Sequence, residues 1–329
     1  MKILIDIGHP AHVHLYRNFY NEMTERGHSL YVTVKNLPSA TRLLYLYGIP
    51  YTLIGSKGDT LASKGVRQVF FSLRLAAMAS RLGIDVGVGS SISLAHASVP
   101  SRMKSVIFDD DDDRVQPLMT RYGHPFADMI VSPSSLKNAR ASGKALFYPG
   151  YHELAYLHPC RFTPDPEVLN DAGVSQGETF FIMRFNAFRA HHDKGVEGLT
   201  TGQKLELVKL LESRGRVFIT TEAEAEPELA KYKLGVSPEK AHSLLSYATM
   251  FIGDSQTMTS EAAVLGVPAL RCNTLAESIS YLREQEETYG LTYAYKPAEF
   301  GLLRERIESL LGEPGLREEW QRRRNRMLG

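Results

Sequence analysis

Cysteine, surplus charge of either sign and long apolar runs are all scarce in this sequence. Its 329 residues include two cysteines, Cys160 and Cys272, too few and too far apart for a disulfide framework or a thiolate metal cage. Lys and Arg number 38 against 37 Asp and Glu, so bulk charge does not attract nucleic acid. No apolar stretch approaches the roughly 20 residues of a membrane-spanning helix. We therefore expect a cytoplasmic protein that binds no nucleic acid.

The length of the chain predicts two domains rather than one. Apolar runs bounded by Gly, Pro or Asp alternate with segments of helical period, beginning with Lys2–Ile7, which predicts a strand and not a targeting peptide. Prolines interrupt regular structure over 149–166. We place an N-terminal domain at 1–158, a second domain at 159–312 and a C-terminal helix at 313–329. One expected position for this helix is against the N-terminal domain.

Both halves have the pattern of a parallel sheet with helices on each face, which predicts doubly wound, Rossmann-like α/β domains. In the second half the predicted strands are Thr179–Met183, Arg216–Thr220, Met250–Gly253 and Pro268–Arg271. Two such domains facing each other form a central cleft at the carboxyl ends of their strands. Ligands are expected there.

The segment 251–268, FIGDSQTMTSEAAVLGVP, predicts an anion site. A buried strand ends at Gly253 and a helix begins near Thr257, so unpaired backbone N–H groups and the positive end of the helix point the same way. Glu261 follows one turn later, where a carboxylate can accept both hydroxyls of a ribose. The alternative is that Ser255 is only an N-cap and Glu261 only an acid near the helix start.

This segment resembles the nucleotide-sugar signature of the non-hydrolysing UDP-N-acetylglucosamine 2-epimerases and of the peptidoglycan N-acetylglucosaminyltransferase. The resemblance implies a GT-B-like fold, with Ser255, Gln256 and Thr257 on the phosphates and Glu261 on the ribose. Gln256 and Thr257 stand where the epimerases have two glycines, so side chains are present where those families allow close backbone approach to the diphosphate.

The loop Gly8–His14 contains three histidines directly after the first predicted strand. His12 matches the histidine of the transferase's first loop, and an imidazole at this position is suited to general-base catalysis. His9 and His14 are better explained as capping or packing residues. No carboxylate or cysteine lies nearby at ligand spacing, which argues against a metal site.

Two further loops bear on the choice of reaction. The loop that ends the fourth strand, 85–91, resembles the transferase's glycine-rich acceptor loop and lacks the aspartate that the epimerases carry, which counts against epimerisation. Asp109–Asp113 follows the fifth strand, and clustered carboxylates can have a raised pKa or hold a divalent ion. Asp109 and Asp110, nearest the strand, are the catalytic candidates, and the later aspartates are expected to be solvated.

Arginines supply the remaining binding candidates. Arg184 and Arg189, after a strand of the second domain, have the geometry to clamp a diphosphate, with plain surface exposure as the alternative. The helix around 65–82 carries arginines at seven-residue spacing beside apolar residues, which is compatible with peripheral membrane contact or with ordinary amphipathic packing. The arginines over 322–326 are expected to form a solvated helix face.

Taken together, four motifs resemble domain-of-unknown-function family 354 over nearly the whole chain. They are Gly8-His-Pro-Ala-His, Ile107-Phe-Asp-Asp, Phe126-Ala-Asp128 and Gly150-Tyr-His-Glu-Leu-Ala-Tyr-Leu-His-Pro159. The resemblance implies a GT-B-like fold but no established reaction.

We expect a glycosyltransferase that uses a UDP-sugar and an unidentified acceptor in cell-surface polysaccharide or glycoconjugate synthesis. His12 is the candidate base, with Asp109 or Asp110 assisting. The helix end and an arginine stabilise the departing diphosphate, so no metal or other cofactor is required. A nucleotide-sugar 2-epimerase and a non-catalytic nucleotide-sugar-binding protein remain the alternatives.

Overall fold

The structure is a computed structural model that describes residues 1–55, 61–141, 143–185, 197–221 and 226–329, with backbone only for 61–66. The chain divides into two compact units, Met1–Tyr156 and Leu157–Gly329. The sequence-based boundary lies two residues later, at 158. Among the described residues there is no helix whose length and apolarity would let it cross a bilayer.

The first unit is built on a seven-stranded parallel sheet with strand order β3-β2-β1-β4-β5-β6-β7. Its strands are β1 (Lys2–Ile7), β2 (Ser29–Val34), β3 (Thr52–Leu53), β4 (Val86–Gly89), β5 (Lys104–Phe108), β6 (Met129–Pro133) and β7 (Ala145–Tyr148). Its helices are α1 (Pro10–Glu25), α2 (Pro38–Leu46), α3 (Leu61–Leu82), α4 (Ile92–Ser101) and α5 (Pro117–Tyr122). A short helix, α6 (Leu154–Leu157), crosses the unit boundary, and 3-10 turns occupy His124–Phe126 and Ser134–Leu136.

The alternation of β1 explains why helices cover both faces of this sheet. Ile3, Ile5 and Ile7 join a core cluster with residues of α1 and α2. Leu4, which points to the opposite face, joins a second cluster with residues of α3 and α4. A strand buried on both faces is typical of a parallel sheet in a doubly wound fold.

The second unit has a five-stranded parallel sheet with strand order β12-β11-β10-β8-β9. Its strands are β8 (Phe180–Phe185), β9 (Arg216–Thr221), β10 (Met250–Gly253), β11 (Ala269–Cys272) and β12 (Thr292–Tyr295). Its helices are α7 (Val168–Asp171), α8 (Thr201–Glu212), α9 (Ala241–Tyr247), α10 (Gln256–Leu265), α11 (Ser280–Glu287), α12 (Phe300–Leu311) and α13 (Leu316–Leu328), with 3-10 turns at Pro227–Tyr232, Pro238–Lys240 and Pro297–Glu299. The predicted fold class, two Rossmann-like α/β units, is confirmed.

The C-terminal helix α13 belongs to the second unit, although the sequence analysis set 313–329 apart. Trp320 is completely buried in the core of this unit, and its indole N–H donates to the carbonyl of Leu291 at 2.9 Å. Gln321 donates to the carbonyls of Leu265 and Gly266 at the end of α10. These contacts satisfy carbonyls that a helix terminus leaves unpaired, and they fix α13 in place.

The arginine run of α13 is only partly the solvated face that its composition predicts. Arg322 is exposed and pairs with Glu319. Arg324 donates to the carbonyl of Val264 at 2.7 Å, and Arg323 donates to that of Gly290 at 2.6 Å. The positively charged side chains thus meet carbonyl groups that carry partial negative charge.

Truncation of Trp320 tests the anchoring of α13. We expect Trp320→Ala to lower the free energy of unfolding of the second unit by about 3–5 kcal/mol, because a large buried side chain and its hydrogen bond are lost. Arg322→Ala, in the same helix but exposed, should change it by less than about 0.5 kcal/mol. Denaturant unfolding followed by far-UV circular dichroism measures both. Equal effects would show that α13 contributes little to the core.

Candidate functional site

Three loops of the first unit bring titratable residues together at the carboxyl edge of the seven-stranded sheet. His12 lies in the first turn of α1, just after β1, while Asp110 follows β5 and His152 follows β7. Carboxyl ends of parallel strands share one edge of a sheet, which explains how residues distant in sequence meet. Charge interactions connect His12 to both Asp110 and His152.

The pair formed by His152 and Asp110 is the best defined feature of this edge. His152 Nδ1 lies 3.1 Å from Asp110 Oδ2, and the side chains are 11% and 28% exposed. The imidazole ring is nearly parallel to the ring of Tyr148, with centroids 6.1 Å apart, and the ring of Phe108 is tilted by 53° to it with centroids 6.0 Å apart. Aromatic rings and a carboxylate therefore fix the orientation of the imidazole.

Each member of the pair stabilises the charged form of the other. Burial alone would raise the pKa of Asp110, but the charge and hydrogen bond of His152 outweigh it and hold that pKa below its usual range. Burial would likewise lower the pKa of His152, but Asp110 outweighs it and the pKa is raised. The two groups therefore titrate as a coupled pair.

Two polar atoms beside this pair are buried without a hydrogen-bond partner among the described residues. They are His152 Nε2 and the hydroxyl oxygen of Tyr148. Burial, and then the charges of Asp110 and Glu153, raise the pKa of Tyr148, so the phenol keeps its proton. Buried polar atoms are nearly always paired in native proteins, and an unpaired one costs about 1–3 kcal/mol. Such atoms indicate a place where a ligand supplies the partner.

His12 is held in a different state from His152. Its Nδ1 accepts from the backbone N–H of Gly8 at 3.3 Å. Burial, followed by the charge of His9, lowers the pKa of His12 to about 3. The imidazole is therefore neutral at physiological pH, but it is a weak base. The two other histidines of the loop behave as predicted: His9 caps α1 by accepting from the N–H of Ala11, and His14 is buried beside Tyr47.

Asp109 is tied into the protein interior. Its carboxylate accepts from His124 Nε2 at 2.7 Å and from Arg140 Nη1 at 3.0 Å, and its other oxygen accepts from the backbone N–H of Asp111. The Asp109 carbonyl also accepts from Arg140 Nη2 and from Ser132. This bonding suits a residue that holds the loop in shape, and the catalytic role predicted for Asp109 gains no support from its contacts.

The later aspartates are not the solvated residues that we expected. Asp112 is buried, and Asp113 accepts from Arg140 Nη1 at 2.6 Å. Asp111 accepts from the side chain of Gln116. Burial, followed by the charges of Asp110 and Asp109, raises the pKa of Asp111 to about 8. The raised pKa predicted for the cluster therefore falls on a residue that sequence reasoning did not select.

The acidic cluster is bonded to protein donors rather than arranged around a cation. One oxygen from each of Asp109, Asp110 and Asp111 lies within 4.8 Å of the others, a separation that a metal ion can bridge. Asp109 is already bonded to Arg140, Asp110 to His152, and Asp111 to the side-chain amide of Gln116. Acidic clusters neutralised in this way do not need a metal, and the expectation that no metal is required stays a prediction.

The turn after β4 carries hydroxyls in place of a carboxylate. Ser91 caps α4 and donates to the buried carboxylate of Asp6 at 2.5 Å, while the hydroxyl of Ser90 lies 3.3 Å from that of Tyr16. A Cβ at Gly89 would approach the Asp6 carbonyl oxygen to 2.9 Å, so this glycine is required by strand packing.

In the second unit, β10 leads directly into the N-terminus of α10. Ser255 is the N-cap, and its hydroxyl accepts from the N–H of Met258 at 3.4 Å. No acceptor for the backbone N–H groups of Gln256 or Thr257 is found among the described residues. Both predictions for this segment, an N-cap and donors available to an anion, therefore fit the same geometry.

Glu261 is buried within α10 and is already engaged by a histidine. Its Oε1 lies 2.9 Å from Nε2 of His242 in α9, whose ring also packs edge-on against Phe162. A carboxylate can accept several hydrogen bonds, so the contact with His242 is compatible with further ones. His242 therefore fixes the orientation of the Glu261 carboxylate.

Arg184 lies beside this helix start because β8 pairs with β10. Arg184 is the register partner of Gly253, and its carbonyl accepts from the N–H of Asp254 at 3.1 Å. The structure thus brings Arg184 next to the predicted phosphate-binding residues. Arg189 lies outside the described residues.

Sequence reasoning missed His152, Tyr148 and His242. His152 lies in the motif Gly150–Pro159, whose resemblance to family 354 implies no role for this histidine. The available signal was a histidine preceded by two tyrosines, Tyr148 and Tyr151. The partner carboxylate is 42 positions away, and only the sheet topology brings it near.

A pH-dependent stability difference tests the protonated state of Asp111. The folded protein keeps the Asp111 proton up to about pH 8, whereas the unfolded chain releases it near 3.8. The unfolded state then binds fewer protons, so this carboxyl makes stability fall as pH rises from about 4 to about 8. Asp111→Asn removes that loss. We expect its melting temperature, relative to the natural protein, to rise between about pH 5 and about pH 9.

Asp113→Asn is the matched control for that measurement. It removes a carboxylate that accepts from Arg140 at 2.6 Å, and it should lower the melting temperature at both pH values. A difference for Asp111→Asn that does not change with pH would mean that Asp111 is ionised in the folded protein.

Comparison with known proteins supports the fold. The glycosyltransferase VinC in complex with DTDP superposes with a TM-score of 0.60 at 14% identity, over all of this chain and 96% of that one. The UDP-GlcNAc 2-epimerase of Neisseria meningitidis, bound to UDP-GlcNAc, superposes with a TM-score of 0.73 at 14% identity, over 97% of this chain and 94% of that one. At these identities the similarity establishes a shared GT-B-like fold and no more.

Sequence comparison gives the family. The uncharacterized protein MJ0665 of Methanocaldococcus jannaschii is 21% identical over 292 residues, which cover 83% of this chain and 82% of that protein. The family model described as "Protein of unknown function (DUF354)" matches residues 1–287. Because this match covers most of the chain, the protein belongs to family DUF354.

Proposed function

We propose that this protein is a glycosyltransferase that uses a nucleotide-sugar donor, with a UDP-sugar favoured. The observation that carries the proposal is the junction of β10 and α10. There the Ser255 cap, the available N–H groups of Gln256 and Thr257, and the neighbouring Arg184 provide donors suited to a diphosphate. Glu261, oriented by His242, is the carboxylate for the ribose hydroxyls.

The same donors account for catalysis without a metal. The bond from the sugar to the diphosphate breaks with development of negative charge on the leaving group. A helix N-terminus and an arginine stabilise that charge through preorganised dipoles and hydrogen bonds. We therefore propose that turnover needs no divalent cation.

The first unit supplies the groups for proton transfer in this proposal. An acceptor hydroxyl must lose its proton as it attacks the sugar, and the edge that carries His12, Asp110 and His152 holds suitable groups. The hydroxyls at Ser90 and Ser91, in place of a carboxylate, favour transfer over epimerisation.

A nucleotide-sugar 2-epimerase is the second candidate, and one observation favours it. Two imidazoles in one unit have pKa values displaced in opposite directions, with His12 lowered and His152 raised. Such a separation is what an enzyme needs to remove a proton at one stage and return it at another.

Nucleotide binding tests the site proposed at the junction of β10 and α10. UDP at about 100 times its dissociation constant should stabilise the folded protein by about 2.7 kcal/mol and raise the melting temperature by a few degrees. Glu261→Gln should reduce that rise, because the amide no longer accepts from ribose at both oxygens. Glu287→Gln, an exposed surface carboxylate paired with Arg283, should leave it unchanged. If neither UDP nor another nucleoside diphosphate raises the melting temperature, the nucleotide-sugar proposal fails.

Turnover assays with the same ligands separate the candidate functions. An epimerase converts UDP-N-acetylglucosamine without any acceptor, whereas a transferase releases UDP faster when a hydroxyl acceptor is added, and a binding protein does neither. Release that continues in excess EDTA is expected, and its loss would contradict the metal-independent mechanism.

We also propose that α3 makes peripheral contact with an anionic membrane surface, where a lipid-linked acceptor for cell-surface glycoconjugate synthesis would be found. Phe71 and Leu75 pack into the core, but Val69, Phe70 and Leu73 are 60%, 53% and 63% exposed. The exposed side of the same helix carries Arg67, Arg74 and Arg81. Exposed apolar residues flanked by arginines match the chemistry of an anionic lipid surface.

Vesicle sedimentation tests this surface. The protein should bind vesicles that contain phosphatidylglycerol, and bind weakly to pure phosphatidylcholine or at high salt, because each arginine contributes about 1 kcal/mol near an anionic surface. The double change Phe70→Ser with Leu73→Ser should reduce binding. Leu118→Ser, an exposed leucine on α5, is the control. Equal binding by all these proteins would contradict the role of α3.

A further inference from the structure

Two described histidines of the first unit, His124 and His152, combine a carboxylate partner with an unpaired ring nitrogen, and His152 is the one whose charge interacts with His12. Asp110 binds Nδ1 at 3.1 Å, and Nε2 is buried without a partner among the described residues. We propose that His152 is the catalytic residue that takes the proton of a substrate hydroxyl, with Asp110 as its positioning residue and Tyr148 as a hydrogen-bond donor to the substrate. This proposal rests on the proposed function.

The bond to Asp110 determines which nitrogen is available. A carboxylate accepts from Nδ1–H, so the neutral ring carries its lone pair on Nε2. When Nε2 takes a proton, Asp110 stabilises the imidazolium without becoming protonated itself. Asp110 is also fixed by its loop, since Asp109 and Asp113 on either side are bonded to Arg140. The dyad is therefore oriented before any substrate binds.

The unpaired atoms define the chemical class of the substrate group. In the neutral ring His152 Nε2 needs a donor, and the protonated phenol of Tyr148 needs an acceptor. A hydroxyl group both donates and accepts, so one such group satisfies both needs. An ammonium group has no lone pair with which to accept from Tyr148. The structure thus assigns an alcohol, or water, as the nucleophile.

His12 is less suited to this step, although the sequence favoured it. Its pKa is lowered to about 3 because of burial and the nearby His9, so it draws a proton weakly at physiological pH. A general base works best when its pKa lies near the operating pH. A neutral His12 remains suited to hydrogen bonding with the substrate.

The step balances without any further reagent. The hydroxyl oxygen forms a bond to the anomeric carbon, and its proton passes to His152 Nε2. The bond from that carbon to the diphosphate oxygen breaks, and UDP leaves with the electron pair. The imidazolium then releases its proton to solvent and returns to the neutral state.

The charged groups around His152 determine the expected pH dependence. Asp110, Glu153 and Asp109 raise the pKa of His152, while burial lowers it, and His12 is a further neighbour that stays neutral. Below its pKa the imidazolium cannot accept a proton, so activity should rise as pH increases through that pKa. Removal of the charge of Asp110 should move this rise to lower pH.

The first experiment is independent of any substrate. Nitrogen-15 NMR of the imidazole rings, followed against pH, should show His152 titrating above the ordinary histidine range. Asp110→Asn should move that titration to lower pH, and Asp171→Asn, which alters an exposed salt bridge to Lys240, should not. Titration of His152 at or below about 6.5, or no change in Asp110→Asn, would overturn the dyad.

The second experiment measures UDP release from UDP-N-acetylglucosamine and other UDP-sugars in the presence of a hydroxyl acceptor. His152→Gln should lower the rate about 10²- to 10⁴-fold while the UDP-induced rise in melting temperature persists. Tyr148→Phe should lower kcat/KM about tenfold. Asp110→Asn should lower the rate and displace its pH profile to lower pH, which a purely structural role would not do. His28→Gln, at a half-buried histidine that contacts the amino group of Met1, is the control.

The outcomes distinguish the two proposals. If UDP binds and turnover occurs but His152→Gln is as active as the natural protein, this inference is overturned and the proposed function stands. Loss of activity in His12→Gln alone would transfer the role of base to His12. If no nucleotide binds, the proposed function fails, and the NMR titration still decides whether the His152–Asp110 dyad exists.

Discussion

The buried side chain of Arg140 is the constraint on which the first unit's site depends. Five consecutive aspartates repel one another, and their partial burial is tolerated only if positive charge and donors offset it. Arg140 binds the carboxylates of Asp109 and Asp113 and the carbonyls of Asp109 and Asp111. One guanidinium thus closes the loop onto itself, using the planar set of donors that lysine lacks.

This closure leaves different environments along the loop. Asp109 and Asp113 bind inward to Arg140, Asp111 keeps a proton at neutral pH, and Asp110 is left to pair with His152. Adjacent residues of one type therefore acquire different roles from the donors around them. Arg140 and His124, which come from other parts of the chain, determine which of the aspartates are bonded inward.

Strands were the part of the fold that the sequence predicted best. Met250–Gly253 was predicted with the bounds that the structure has, because a buried run is followed by turn residues. β12 (Thr292–Tyr295) was missed, since its four residues form neither a long apolar run nor a full alternation.

One predicted helix boundary was wrong because a buried arginine binds carbonyl groups of the predicted helix. The pattern of residues 275–287 predicts a helix over Leu275–Glu287, whereas α11 begins at Ser280. The buried Arg271 donates to the carbonyls of Leu275 and Ala276, so this stretch satisfies an arginine instead of continuing a helix. The periodicity of apolar residues does not reveal hydrogen bonds of this kind.

The same distinction applies to the candidate site. Ser255 and the helix after it follow from local sequence, because capping depends on neighbouring residues. The partners of Asp110 and Glu261 do not, since His152 and His242 reach them through strand order and helix packing. Sequence alone therefore identified the carboxylates and missed both histidines.

The pair His152–Asp110 in the first unit and the pair His242–Glu261 in the second differ in exposure and in the ring nitrogen that binds the carboxylate. In the second unit His242 and Glu261 are 10% and 6% exposed, and His242 uses Nε2 for the carboxylate. In the first unit His152 uses Nδ1, Asp110 is 28% exposed, and Nε2 is left buried and unpaired among the described residues. A carboxylate held by a buried histidine presents an acceptor of fixed orientation, whereas an imidazole with an unpaired ring nitrogen can pass a proton to or from a ligand. This difference is our reason for proposing nucleotide binding in the second unit and proton transfer in the first.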